Sequence, residues 1–375
     1  MTMLAERPTT TFPFPDETTA PAPAEWRGIE RDGVRLLVAS PGGVRHARFR
    51  NLADHLSPGD LVVVNDSVTE ARQLDADLIG RGRVVLHLAQ RLDTGWAVEL
   101  RSAPDASRSV LDAAEEDVVV TAGLRVTLLE PYPDGRPSSP TGEGNRLWRA
   151  RVTGDVTAEL ERAGRPIAYG YLDRRYPLST YQTVFGHRPG SAEMPSAARP
   201  FTHPLVTELV TRGIQVAPIT LHTGVSSQEA GEAPGAEWFE VSETTARLVE
   251  QTRYAGGRVV AAGTTVTRAL ESVVIPATGA VRAASGWTDR VITPANPPYV
   301  VNGLITGWHD PQASHLLLVE AVAGPALAQA AYDAAVAEGY LWHEFGDSAL
   351  LLPCNAERSR TSAEKSRRCP LGRRW

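Results

Sequence analysis

Polar and charged side chains stand where several apolar segments of the sequence end. Their types can bind ligands and move protons, because they include carboxylates, imidazoles, a guanidinium, an amide and an indole. They are Asn65 and Asp66 after "LVVV", His222 after "PITL", Arg268 and Glu271 in "TTVTRALES", Trp287 and Asp289 in "GWTD", His309 after "LITGW", and Asp347 after "EFG". Each one alone is typical of a structural hydrogen bond, but their number at segment ends favours a binding site.

The stretch "GRVVAAGTTVTRALES", Gly257–Ser272, combines an apolar run, a glycine and several hydroxyls. It predicts a buried strand, a break at Gly263, and a helix capped by Thr264 or Thr265. Such a turn presents free backbone N–H groups and the positive end of a helix dipole to a phosphate, a carboxylate or a ribose hydroxyl. We therefore predict a ligand contact here, with Arg268 one turn into the helix. A capped helix of an ordinary α/β layer is the alternative.

The histidines and cysteines do not have the spacing of a metal site. His222 and His309 lack a second ligand nearby, and His315 lies six positions beyond His309 rather than the usual three to five or so. Cys354 and Cys369 are the only cysteines, which excludes a disulfide framework or a cysteine-rich zinc site. No Gly-x-Ser-x-Gly elbow, phosphate loop or dinucleotide fingerprint occurs. We expect no metal.

Composition sets the broad class of the protein. A chain of 375 residues can bury a large core, and no apolar run reaches the roughly 18–20 residues of a membrane span. We expect a cytoplasmic protein without a signal peptide or membrane contact. The net charge of −6 excludes a surface that is basic throughout but leaves room for a local basic groove.

The pattern of elements changes twice along the chain. Residues 69–153 contain short strands separated by turn residues, which predict an inserted all-β, barrel-like domain. Residues 25–68 and 154–353 alternate between strand and helix patterns, which predicts an α/β main domain with the site at its strand ends. Residues 1–24 predict a flexible arm, and 354–375 predict a disordered basic tail.

Several segments resemble the S-adenosylmethionine:tRNA ribosyltransferase-isomerase family of queuosine biosynthesis. They include "FRNLADHLSPGDLVVVNDS", "YQTVFGHRPGSAEMPSAARPFT", "GIQVAPITLHTGV", "LITGWHDPQASHLLLVEAVAG" and "AYDAAVAEGYLWHEFGDSALLL", in addition to the glycine-threonine stretch. The resemblance implies an α/β domain with an inserted β-barrel. It also implies that the ribosyl part of S-adenosylmethionine is transferred to 7-aminomethyl-7-deazaguanine in tRNA and rearranged to epoxyqueuosine, while adenine and methionine are released.

The implied chemistry requires a base, an anchor for the methionine carboxylate, partners for the ribose hydroxyls and a wall for adenine. We predict catalytic roles for His222, Asp66 and Asp289. We predict contacts to S-adenosylmethionine for Gly263, Thr264, Thr265, Arg268, Glu271 and Trp287. We predict contacts to the acceptor for Asn65, His309 and Asp347.

Three departures from the family's patterns remove groups that can bind phosphate or the acceptor. Pro200 stands where the pattern Pro-Thr-Ala-Gly-Leu-His-Phe-Thr has histidine, and Gln312 and Ala313 stand where His-x-Pro-Lys-Ser-Thr has lysine and serine. The loop after Asp66 is also shortened and lacks an arginine. The sequence therefore leaves three functions open: tRNA modification, the same chemistry on a small non-tRNA acceptor, and non-catalytic binding of a ligand or RNA. It does not indicate the oligomeric state.

Overall fold

The computed structural model describes residues 4, 6–13, 18–135, 144–225, 233–311, 313–342 and 344–354. The predicted basic tail lies outside the described residues except for Cys354, and so does Gln312.

Strands and helices in the described residues are numbered separately in chain order. The strands are β1 (Arg35–Ser40), β2 (Gly43–Arg48), β3 (Leu61–Asn65), β4 (Ser67–Thr69), β5 (Gln73–Leu78), β6 (Gly82–Arg91), β7 (Trp96–Ser102), β8 (Val118–Val120), β9 (Arg125–Pro131), β10 (Leu147–Thr153), β11 (Arg188–Ser191), β12 (Gln215–Leu221), β13 (Glu237–Val241), β14 (Val259–Ala262), β15 (Ala284–Thr288), β16 (Gly303–Thr306) and β17 (Ser348–Leu351). The helices are α1 (Val156–Ala163), α2 (His203–Thr211), α3 (Glu243–Tyr254), α4 (Thr264–Ser272), α5 (Ser314–Ala323) and α6 (Pro325–Ala337).

A nine-stranded mixed sheet forms the centre of the main domain, in the order β15-β13-β12-β3-β14-β16-β17-β1-β2. Strands β12, β3, β14 and β16 run parallel, with Leu61 beside Gln215 and Val259. Every residue of "LVVVN" and "VVAA" is buried, as expected for parallel strands covered on both faces. The predicted α/β class is confirmed, and the carboxyl ends of these four strands meet at one edge.

Alternate strand residues build a core on each face of this sheet. Leu61 and Val63 pack with the helices α3, α4 and α5, whereas Val62 and Val64 pack with α2. The period of two is the geometry of an extended strand, in which successive side chains point to opposite faces. The helices are held against both faces by this apolar burial, which fixes where their N-termini lie.

A closed six-stranded barrel is inserted between β4 and α1, with the strand order β10-β7-β6-β5-β8-β9. Every second residue of its strands packs into the interior, among them Leu86 and Leu88 of β6 and Val98 and Leu100 of β7. The predicted inserted β-barrel is confirmed, because short turn-separated strands of this kind remove their unpaired edges by closing. The domain boundaries on either side of it stay predictions.

Part of the N-terminal segment packs against the main domain. The backbone N–H groups of Thr9 and Thr10 donate to Glu320 Oε1 at 2.8 and 2.5 Å. The ring of Phe12 stacks on Tyr332 with 4.5 Å between centroids. Thr9, Thr10 and Phe12 of the predicted arm therefore contact α5 and α6. None of the helices in the described ranges is long and apolar enough to cross a membrane.

Candidate active site

A cavity of about 250 Å³ lies between the barrel and the carboxyl edge of the sheet. The barrel contributes Ala97, Arg146 and Leu147 to its lining, and the ends of β14 and β16 contribute Ala262 and Thr306. Its position follows the general rule that ligands bind at the carboxyl ends of parallel strands.

Two helix N-termini line this cavity. Helix α4 presents Thr264 and Thr265 in its first turn, and α5 presents Ala313, Ser314 and His315. The first backbone N–H groups of a helix have no partner within it, and the helix dipole adds positive potential there. This part of the cavity therefore suits an anionic group such as a carboxylate.

The predicted cap of α4 is wrong, because the N-cap is Gly263 and neither threonine side chain caps the helix. Gly263 has φ of 106°, a conformation that side-chain-bearing residues rarely adopt, so it makes the sharp turn out of β14. Its N–H donates to Ile305 O at 2.8 Å. The residues Thr264 and Thr265 are half-buried at the cavity, as a ligand contact requires.

Arg268 also lines the cavity, but its guanidinium is engaged by the protein. It forms an ion pair with Glu237 and donates to the carbonyl oxygens of Arg290 at 3.1 Å, Gly235 at 2.9 Å and Thr288 at 3.2 Å. Burial raises the pKa of Glu237, and the nearby Arg268 opposes that shift. A bidentate fork to a ligand carboxylate would break contacts that already hold both buried charges.

Glu271 points away from the cavity lining. Its carboxylate accepts from the backbone N–H groups of Tyr299 at 2.8 Å, Val300 at 2.8 Å and Val301 at 3.0 Å. The side chain is buried. Glu271 therefore ties α4 to the segment that leads into β16, and the structure does not bring it to the predicted ligand.

Asn65 and Asp347 are likewise occupied by contacts within the protein. Asn65 Nδ2 donates to Leu221 O at 2.8 Å, and its Oδ1 accepts from Leu221 N and Ser67 N. Asp347 accepts from Arg35 N at 2.7 Å and Arg35 Nε at 2.8 Å. These bonds join neighbouring strands, and neither residue lines the cavity.

His222 lies in a wider groove of about 1250 Å³ that adjoins the cavity. Its Nδ1 is 2.7 Å from Ser67 Oγ, and its ring stacks on Trp238 with 5.1 Å between centroids. Burial lowers the pKa of His222, and the positive charge of Arg72 lowers it further. Trp287 lines the same groove and is 45% exposed, so these two predicted residues lie together.

Gly190 allows the close approach of the His222 ring. A Cβ at this position would lie 2.6 Å from His222 Cε1, and its φ of 146° adds to the requirement for glycine. The groove and the cavity share Ala89, Gln90 and Thr223 in their linings. The two compartments are therefore adjacent.

The remaining predicted residues divide between the cavity and other locations. His309 lines the cavity, its Nε2 3.0 Å from Thr306 Oγ1 and its ring stacked on His315. Asp66 is buried, accepts from Thr220 Oγ1 at 2.6 Å, and has a pKa raised by burial. Asp289 is exposed, and it lines neither compartment.

The residues that depart from the family's patterns lie in different parts of the structure. Ala313 lines the cavity, whereas Pro200 is buried beside a small space lined by Arg199, Phe345 and Asp347. The guanidinium of Arg199 lies over the Phe345 ring at 5.0 Å from its centroid.

Several charged residues of the cavity were missed by sequence reasoning, among them Glu193 and Glu344. Glu193 accepts from Tyr169 OH at 2.5 Å. No motif relates the two glutamates, and the only signal was their place inside the segments that carry the family resemblance. Among the described residues, no three His, Cys, Asp or Glu side chains are grouped so that they could hold a metal ion.

Comparison with known proteins finds relatives along nearly the whole chain. The profile of the family described as "Queuosine biosynthesis protein" matches residues 9–351. Many relatives carry the name S-adenosylmethionine:tRNA ribosyltransferase-isomerase. The one from Anaeromyxobacter dehalogenans is 36% identical over 357 residues, covering 91% of this chain and 97% of the relative. The one from Gloeobacter violaceus is 35% identical and covers 91% and 94%, and the one from Thermus thermophilus is 35% identical and covers 87% and 94%.

A solved structure, that of S-adenosylmethionine tRNA ribosyltransferase from Thermotoga maritima, aligns with a TM-score of 0.50 and 26% identity over 91% of this chain and 99% of that one. The profile match and the shared length and identity show that the chain belongs to the queuosine biosynthesis protein family, as an enzyme of its ribosyltransferase-isomerase type.

Proposed function

We propose that this protein transfers the ribosyl part of S-adenosylmethionine to 7-aminomethyl-7-deazaguanine in tRNA and isomerises it, giving epoxyqueuosine, adenine and methionine. The observation that carries the proposal is the cavity, which is closed by the barrel and lined by the N-termini of α4 and α5. Membership in the family supports the reaction, and we place the activity in the cytoplasm together with its RNA substrate.

The helix N-termini are the proposed anchor for the methionine carboxylate. Backbone N–H groups after Gly263 supply donors, and the hydroxyls of Thr264 and Thr265 supply further partners for the carboxylate or the ribose. Because Arg268 is already paired with Glu237, we assign it to holding the wall of the cavity rather than to ligand contact. This assignment replaces the expected guanidinium fork.

His222 is the proposed base. The sulfonium of S-adenosylmethionine acidifies the adjacent ribose C5′–H, so a neutral imidazole can take that proton and leave an ylide. Burial lowers the pKa of His222, which keeps the ring neutral near pH 7 and ready to accept a proton. The neighbouring Trp238 and Trp287 offer surfaces on which unpaired nucleotide bases can stack.

The test is incubation of the purified protein with S-adenosylmethionine and tRNA that carries the aminomethyl base, followed by mass spectrometry of the nucleosides and measurement of released adenine. The double variant Thr264→Val/Thr265→Val should bind S-adenosylmethionine about tenfold more weakly, since each lost hydrogen bond contributes roughly 0.5–1.5 kcal/mol. The exposed Thr211→Val is the matched control. If the wild type neither binds S-adenosylmethionine nor releases adenine, the proposal is wrong.

His222→Asn should suppress adenine release far more than it weakens S-adenosylmethionine binding, as expected for a group that moves a proton during the reaction. The exposed His203→Asn is the control, because it removes a histidine at the start of α2 outside both compartments. Near wild-type turnover in His222→Asn would transfer the role of base to another residue.

A second candidate is the same chemistry on a free small acceptor. The observation that favours it is the charge of the cavity. Its described lining has two ion-paired arginines, Arg146 and Arg268, against the four carboxyl residues Glu193, Glu237, Asp310 and Glu344. Phosphate contacts dominate nucleic-acid affinity, so such a lining gives little attraction to RNA. Adenine release that is stimulated by the free base but not by the modified tRNA would select this candidate.

A further inference from the structure

Two carboxyl groups occupy one region of the cavity wall. Glu193 is 5% exposed and accepts a hydrogen bond from Tyr169 OH at 2.5 Å. Glu344 approaches Glu193 closely enough for their charges to interact, and Tyr171 is hydrogen-bonded to it. The two glutamates come from the segment before the "PSAARPFT" motif and from the segment before β17.

One oxygen of this pair is buried without a partner. Glu344 Oε2 has no hydrogen-bond partner among the described residues, although Glu344 lines the cavity. A buried carboxyl oxygen normally accepts a hydrogen bond, because leaving it unpaired forfeits the hydration that it had in water. This buried oxygen therefore suits a hydrogen-bonding group that a ligand brings into the cavity.

The pair holds one proton near neutral pH. Burial and the nearby charge of Glu193 raise the pKa of Glu344 to about 8. Burial also raises the pKa of Tyr171 well above its usual value and raises that of Tyr181, so both phenols stay protonated. Two carboxyl groups this close resist ionising together, which is the physical basis of the raised pKa of Glu344.

Such a wall recognises a cation that donates hydrogen bonds. The other charged groups of the cavity leave this part acidic, since Arg146 pairs with Glu99 at 3.0 Å and Arg268 pairs with Glu237. Thr223 Oγ1, at the boundary with the groove, donates to Glu193 O at 2.7 Å. A base that enters from the groove would therefore meet Glu193 where the two compartments join.

We propose that Glu193 and Glu344 bind the protonated primary amine of the acceptor and take one proton from it. This inference rests on the proposed function, which supplies an aminomethyl group. The N–H bond of the ammonium breaks, an O–H bond forms on the ionised carboxylate, and nitrogen keeps the electron pair. The neutral amine is then a nucleophile, and the pair is the element that selects an amine-bearing acceptor.

The test compares two ligands that differ in this one group. Calorimetry measures binding of 7-aminomethyl-7-deazaguanine and 7-cyano-7-deazaguanine, each as the free base and within the same short stem-loop RNA. The wild type should prefer the amine by about tenfold, the value of one charge-assisted hydrogen bond of roughly 1.5 kcal/mol. Absence of this preference, or failure of all four ligands to bind, overturns the inference.

Variants then assign the preference to the pair. Glu193→Gln and Glu344→Gln should each reduce the preference for the amine to about twofold or less, with the affinity for the cyano ligand unchanged. The exposed Glu161→Gln on α1 is the control. Because each glutamine keeps the shape of the side chain, the single variants remain informative even if the double variant does not fold.

The ammonium of S-adenosylmethionine is the other cation of the reaction. If the variants weaken S-adenosylmethionine binding tenfold and keep the preference for the amine, the pair binds that ammonium and the inference is wrong. A wild type that binds S-adenosylmethionine and makes epoxyqueuosine without any amine preference overturns only this inference. A wild type that does neither overturns the proposed function.

Discussion

Replacing Arg268 by alanine tests whether this arginine holds the cavity wall or holds the ligand. The substitution removes the partner of buried Glu237 and leaves the carbonyl oxygens of Gly235 and Thr288 without this donor. The side chains of Arg268 and Glu237 are only 7% and 12% exposed. Removing one member of a buried pair costs about 3–5 kcal/mol, because the other charge stays desolvated.

The expected result is therefore a loss of about 3–5 kcal/mol in the free energy of unfolding. Urea denaturation followed by circular dichroism measures it as a lowered midpoint with an unchanged slope. Adding Glu237→Gln to Arg268→Ala should recover part of the loss, because the remaining group is then neutral. The control Arg212→Ala removes ion pairs with Asp54 and Glu208 that are exposed on both sides, and it should cost less than about 1 kcal/mol.

The stability lost in Arg268→Ala should depend on pH, because it depends on the ionisation of Glu237. Burial raises the folded pKa of Glu237, and loss of Arg268 removes the main group that opposes this shift. Protonation of Glu237 on acidification then removes the unpaired charge, so the difference between wild type and Arg268→Ala should shrink as pH falls through the folded pKa. A loss below about 1 kcal/mol together with a tenfold weaker S-adenosylmethionine affinity would refute the structural role and restore the ligand contact.

Three further predictions concern single side chains. Glu271→Ala should lower the free energy of unfolding by about 3 kcal/mol or more in urea melts, since three backbone N–H groups lose a charged acceptor; a loss below about 1 kcal/mol would contradict this. Gly190→Ala should lower the melting temperature more than Gly43→Ala, because both positions have positive φ but only the first would clash with His222; equal losses would contradict the clash. Because burial lowers the folded pKa of His222 below its unfolded value, wild-type stability should fall as pH drops below about 6.5, and His222→Asn should fall less; parallel curves would contradict this.

The layers of the fold were predictable from local pattern. Continuous apolar runs such as "LVVV" and "RVVAAG" identify buried parallel strands, and the turn-rich 69–153 region identifies a separate β unit. Gly263 was correctly predicted as a sharp turn, but it is also the N-cap of α4, where a threonine was predicted. Hydroxyl residues usually cap helices, and a glycine that must take positive φ displaces them.

The site was only partly predictable, because residue type at a strand end does not tell whether a side chain is already occupied. Gly263, Thr264, Thr265 and His309 do line the cavity. Arg268 was expected to be available, yet this residue of helix α4 is paired with Glu237, which lies 31 residues earlier on strand β13. No local pattern encodes such a contact, and the same holds for the pairing of distant carboxyl groups at the cavity wall.

Changing Pro200 to the histidine of the family's pattern should not restore activity on tRNA. Pro200 is buried next to a space of about 10 Å³, beside Arg199, whose guanidinium is buried and paired with Glu25. A histidine there overfills the space and adds a polar ring near a buried cation, so Pro200→His should cost about 1–3 kcal/mol of stability. It should not raise turnover on tRNA, because Pro200 lies outside the cavity lining. Ala313→Ser, at the start of α5 in the cavity, is the matched change that should alter kcat/KM. Turnover on tRNA that rises several-fold in Pro200→His, at unchanged stability, would show that acceptor use depends on this position and not on the cavity wall.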